Sequence, residues 1–154
     1  GLIHGMLNSP VMSISKNMAD TFTREELSYV VLHEIAHYKY RHAIREIVVG
    51  AVLLILSLAI LFLIGESLLQ LVCAPVLALL SGVVNIQYGR VSEIQADEFA
   101  ASNLSSREGM ITATQKLQMA WSPNYRAESL SHLLFDRGNP YENRVEIARK
   151  TQIS

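Results

Sequence analysis

Cysteine is almost absent from this chain: Cys73 is the only one, so no internal disulfide can staple the fold, and it is most simply a small packing residue. An excess of one charge is absent too. Thirteen Lys and Arg stand against 14 Asp and Glu, for a net charge of −1, and no basic stripe or recognised nucleic-acid motif appears, so nucleic-acid binding has no support. No internal repeat or low-complexity linker is visible, and 154 residues allow one compact domain, 1–154. A signal segment is lacking, since GLIHGMLN has no charged start followed by an apolar run. With Gly1 in place of an initiator Met, the sequence reads as a fragment of a longer chain.

What is plentiful is apolar sequence. Half of the residues are hydrophobic, only 18% are charged, and the mean hydropathy is positive, unusual for a soluble domain. The excess concentrates between Ile47 and Ile86, a tract broken only at Gly65, Glu66 and Ser67. Residues 47–64 and 68–86 each come near the ~20 residues needed to cross a ~30 Å hydrocarbon core. The pattern predicts two short transmembrane helices in a hairpin, the second weakened by Gln70, Pro75, Ser81, Gly82 and Asn85. A buried hairpin in a soluble protein is the alternative. Arg41, Arg45 and Arg90 flank the hairpin ends while the turn carries Glu66, which puts the ends on the cytoplasmic side.

Just before the hairpin lies LHEIAHYKYRH, in which His33, Glu34 and His37 form H-E-x-x-H. On a helix, positions i and i+4 share a face, so the two imidazoles can converge on one Zn²⁺ with Glu34 beside the open position. A metal there acidifies water and polarises a carbonyl, and a neighbouring carboxylate moves the proton to the leaving amine. The plain alternative is a solvated helix with surface histidines. Val30 and Val31 are β-branched and alone would suit a strand, but the start signals decide for helix. Thr23 fits N-cap, Glu26 fits N3 of a capping box, and Phe22 and Leu27 fit a hydrophobic staple.

Two histidines need a third protein ligand. In VSEIQADEFAAS, Glu93 and Asp97 are four residues apart in helix-compatible sequence, so both carboxylates can point the same way, one to ligate and one to orient a ligand. Taken alone, the pair is better explained as a solvated acidic face, since Glu and Asp are mostly exposed. His4, His42 and His132 read as ordinary surface or packed histidines. Asn139, Pro140 and Glu142 fit N-cap, N1 and N3 of a final helix. Ser105 and Glu108 fit another capping box before a helix through Leu117, and residues 121–136 read as an irregular stretch.

Taken together, HEIAH and EIQAD resemble the membrane-bound gluzincin metallopeptidases, the family of the HtpX-type heat-shock proteases and the CaaX prenyl endopeptidases. The resemblance implies that Glu93 is the third zinc ligand and that Asp97 supports a ligand from behind. SPVMSISKNM is similar to the family's short edge strand, which implies that Pro10–Ser15 holds substrate as an added strand. NPYENRVEIARK resembles its C-terminal HPxxxxRI helix, with Asn139 where the family has a His that assists the oxyanion. The expected fold is mainly α, of α+β type, with zincin-like catalytic helices, an edge strand and the inserted hairpin. The expected protein is a zinc endopeptidase with Glu34 as general base and acid and His33, His37 and Glu93 as ligands. Its expected substrates are peptide segments of membrane or misfolded proteins, cleaved at the cytoplasmic face of a bacterial inner membrane. Two alternatives stand beside this: CaaX-type cleavage of prenylated proteins, and a non-catalytic membrane adaptor that keeps the fold.

Overall fold

The computed structural model describes residues 2–4, 11–65, 68–121 and 137–151. Their elements are β1 (Leu2–His4), β2 (Val11–Ser13), α1 (Lys16–Thr21), α2 (Arg24–Lys39), α3 (His42–Ile64), α4 (Leu68–Asn103), α5 (Arg107–Trp121) and α6 (Tyr141–Lys150). The fold is mainly α, as the periodicity predicts. Its small sheet pairs β1 and β2 antiparallel, with Leu2 opposite Ser13 and His4 opposite Val11.

Helix α2 begins where the capping box places it. The Glu26 carboxylate accepts the Thr23 N–H at 2.7 Å, and the Thr23 hydroxyl accepts the Glu26 N–H at 3.3 Å. Glu26 is also buried and takes Lys116 Nζ of α5 at 2.7 Å, so one carboxylate caps α2 and ties it to α5. The core between α2, the C-terminal part of α4, α5 and α6 gathers Tyr29, Val30, Ala100, Met110, Ala113 and Ala148. Alanines at 96, 100 and 113 are fully buried, which lets the helix axes approach closely. Gly109 serves the same end, because a Cβ there would stand 2.8 Å from Glu25 Cβ and 2.9 Å from its backbone carbon.

The apolar stretches of α3 and α4 pack on each other, as where the Ser57 and Ser81 hydroxyls meet at 3.1 Å. Helix α3 has 23 residues and α4 has 36, about 35 and 54 Å long. Both are long and apolar enough to cross a membrane, and no residue in the most apolar window of either is buried. Phe62 is 84% exposed and Leu68 is 84% exposed. Apolar surface on that scale overturns the buried-hairpin alternative, since such a hairpin would have to lie within a core. Gly65 ends α3 at φ 72°, a left-handed value that glycine reaches without a Cβ penalty. Glu66 and Ser67 of the anticipated turn lie outside the described residues.

Helix α4 differs from expectation in its length. The apolar run from Leu68 and the E-x-x-A-D stretch, which read as separate segments, are one unbroken helix that also passes through Pro75. A 30 Å hydrocarbon layer accounts for only about 20 of its residues, so the remaining turns emerge as a rigid extension that carries Glu93 and Asp97.

Three local expectations shift. The edge strand expected over Pro10–Ser15 is described only as Val11–Ser13, because Ser15 instead caps α1, its hydroxyl accepting the Met18 N–H at 3.3 Å. Pro10 lies outside the described residues. Helix α5 starts at Arg107, so Ser106 rather than Ser105 directly precedes it. Asn139 is not the cap of α6; that place is taken by Pro140, which has no side-chain cap bond.

Candidate metal centre

The helical period sets three side chains of α2 in a row, Tyr29, His33 and His37, each four residues from the next. Helix α4 lies alongside and presents Glu93 and Asp97 at the same spacing. His33 Nε2 and His37 Nε2 are 3.1 Å apart, and Glu93 reaches them with Oε2 at 3.4 Å and Oε1 at 3.5 Å. His33, His37 and Glu93 form the one group of metal-ligand donors among the described residues. Zinc bonds of ~2.0–2.1 Å in a tetrahedron put ligand atoms about 3.3 Å from one another. The donor set and its spacings therefore fit such an ion, with a fourth direction left over.

Behind the donors stands Asp97, fully buried. Its Oδ1 accepts from the Tyr29 hydroxyl at 2.7 Å and faces His33 Nδ1 at 2.9 Å. Its Oδ2 accepts from Asn139 Nδ2 at 2.7 Å and pairs with Arg144 Nε at 3.1 Å. Both oxygens are thus engaged twice, which is how a buried carboxylate stays ionised. Arg144 also lies 3.6 Å from Glu93 Oε2, so one guanidinium from α6 braces both Glu93 and Asp97.

His37 has its own support. Its Nδ1 lies 2.9 Å from Nδ1 of His42, and His42 Nε2 lies 3.0 Å from Gln95 Oε1. The two rings meet edge to face with centroids 4.8 Å apart.

The charges follow from these neighbours. Burial opposes an imidazolium at His33, but the hydrogen bonds and charges of Asp97 and Glu93 prevail and raise its pKa to about 9. Burial and the adjacent His33 charge lower that of His37 to about 4. The histidine pair therefore carries one positive charge near neutral pH, in a place where two carboxylates favour it. Burial raises the pKa of half-buried Glu34, partly offset by His33, which moves it toward the range of an effective general base. Burial raises Tyr29 as well, keeping its hydroxyl protonated and able to donate to Asp97.

The structure brings His33, His37, Glu93 and Asp97 together as the sequence placed them, with Glu34 on the same helix. Five further residues were missed or misread. Asn139 fits a helix cap by sequence, yet it is buried and its amide nitrogen is turned to Asp97, while Asn143 donates to its oxygen at 2.5 Å. His42 was read as ordinary, although a third histidine in one run beside H-E-x-x-H was a usable signal. Tyr29 could have been found from its four-residue offset to His33. Gln95 carries no local signal, because its role depends on a helix distant in sequence, whereas the arginine in the HPxxxxRI-like segment is a usable signal for Arg144. His132 lies outside the described residues, as do Pro123 and Tyr125 of the irregular stretch, and the side chain of His4 is likewise undescribed.

Two histidines and a carboxylate on crossing helices, with a second carboxylate next to the first histidine, define the class as a metallopeptidase. Residues 3–151 match peptidase family M48, and the chain belongs to that family. No curated protein and no solved structure gives a significant match.

Proposed function

We propose that this M48 peptidase is a zinc-dependent endopeptidase anchored in a membrane. The observation that carries the reading is the ring of His33 Nε2, His37 Nε2 and Glu93 carboxylate oxygens, separated by 3.1 to 3.5 Å beside Glu34. These three residues would hold the ion, and Asp97 would fix the tautomer of His33 by accepting its Nδ1 proton. When bound, zinc lowers the pKa of water to ~7 and polarises the scissile carbonyl. Glu34 takes the proton of the attacking water on its carboxylate and returns it to the leaving nitrogen. Its half-buried setting suits both tasks, since a raised pKa makes it a better base and then a usable acid.

Substrate would lie extended along the sheet. Each strand of a two-stranded sheet keeps one edge unpaired among the described residues, and main-chain bonding to β2 would hold a peptide with little regard for its sequence. Weak sequence reading beside a bilayer suits exposed segments of membrane or misfolded proteins, a quality-control role of the HtpX type. The arginines at the hairpin base favour a cytoplasmic site, as at a bacterial inner membrane.

The test is Glu34→Gln in the purified, detergent-solubilised protein, with metal content and casein cleavage measured together. Zinc should remain near one per chain while turnover falls by roughly 10²–10⁴-fold. Wild-type cleavage by the variant removes Glu34 from the reaction.

A further inference from the structure

We propose that His42 and Gln95 are positioning residues that lock the tautomer of His37 and so tune its hold on the metal; the inference rests on the zinc reading above. On an unbroken helix, residue i+5 lies about 140° around the axis from residue i, so His42 would face away from His37. The chain breaks that course at Arg41, whose φ of 53° and ψ of 41° are left-handed and costly for a residue with a Cβ. Helix α3 starts one residue later, and His42, only 2% exposed, turns its ring back onto His37. Tyr40 stacks on that ring, with centroids 5.7 Å apart and planes 22° apart.

The proton bookkeeping then has one solution. If His37 Nε2 offers its lone pair to a metal, its proton sits on Nδ1 and points at His42 Nδ1. That atom must accept, so the His42 proton sits on Nε2 and is donated to Gln95 Oε1 at 3.0 Å. Gln95 thus selects the His42 tautomer, and His42 selects that of His37. The same helix that supplies Glu93 as a ligand supplies, two residues on, the end of the chain orienting the opposite ligand. His33 is held by a carboxylate and His37 by a neutral acceptor, so the second imidazole is supported without adding a further carboxylate to the site.

Zinc dissociation constants, read by competition with a chromophoric chelator, test the assignment in the solubilised chain. His42→Asn puts an amide oxygen where Nδ1 stood and should bind zinc within about threefold of wild type. His42→Leu removes the acceptor and should weaken binding by about 10–100-fold, the range expected when such a support is lost. Gln95→Met frees the His42 tautomer and should weaken binding less. Equal affinity of His42→Leu and wild type overturns the proposal, as does equal weakening by Asn and Leu. Should His42→Leu fail to fold, Gln95→Met decides, and wild-type affinity in that variant overturns the proposal. Failure of the wild-type protein itself to bind zinc would instead overturn the function proposed above.

Discussion

The four contacts on Asp97 divide between its oxygens, one facing α2 and the other facing the chain end at Asn139 and Arg144. Asp97→Ala should therefore have two separable effects. Loss of the His33 support should reduce zinc affinity or activity by roughly 10–100-fold, whereas Glu93→Ala, which removes a donor, should reduce occupancy more sharply. The same Asp97 variant leaves buried Arg144 with only its longer 3.6 Å ion pair to Glu93, so the loss should fall below the roughly 3–5 kcal/mol of a fully broken buried pair while still lowering the melting temperature of metal-free protein. If Glu93→Ala binds zinc as tightly as wild type, another residue completes the ring. His33 sets the pH response. Its folded pKa of about 9 lies above the ordinary 6.5, so its contribution to metal-free stability is complete below 6.5 and is lost as pH rises through 9. A metal has to displace that same proton, so zinc affinity should climb nearly tenfold per unit between about pH 6 and 8. A flat affinity over that interval contradicts the assignment. His33, Glu34 and His37 are legible in sequence because fixed offsets on a helix carry their chemistry, whereas the choice of Glu93 over Asp97 as a ligand comes from the family resemblance. Asn139 is not legible, since its local setting fits a cap and only the fold brings Asp97 within reach.

At the scale of elements, helix starts were readable when a side chain closes a local ring, as Thr23 and Glu26 do for α2. They were less readable at α6, where proline stands at the cap without a side-chain bond. The continuity of α4 was hidden for a different reason: hydropathy changes abruptly after Ile86, although helical backbone geometry does not. Contacts between helices leave the faintest trace, and Gly109 is the clearest example. Its missing Cβ admits the backbone of Glu25, so α5 rests on the first turn of α2. Gly109→Ala gains about 0.8–1 kcal/mol of helix propensity but meets backbone rather than a flexible side chain. Overpacking typically costs 1–3 kcal/mol, so a net loss of roughly 1 kcal/mol is expected. Denaturation of the solubilised protein reads it directly, and an unchanged or raised midpoint would show that the two helices separate without cost.

For the molecule as a whole, the site and the hairpin share a frame, because α2 leads into α3 within three residues and α4 runs from the apolar tip to Glu93 and Asp97. The cluster of His33, His37 and Glu93 therefore sits at the base of the hairpin, on helices continuous with or adjoining the spans. The base also gathers charge: Arg41 and Arg45 lie at the start of α3, and Arg137 joins Glu46 at 2.7 Å while packing over Gly89. The far turn carries Glu66 and no Lys or Arg. Positive charge beside short loops is retained in the cytoplasm, so the turn should face the opposite compartment from the site. With Cys73 replaced by Ala, a single cysteine at Ser67 should react with a membrane-impermeant maleimide added to intact cells. A cysteine at Ser106, beside α5 and on the site's side of the hairpin, should react only after permeabilisation. The reverse pattern would place peptide hydrolysis outside the cytoplasm, and reaction of both positions in intact cells would mean that the hairpin enters the bilayer without crossing it.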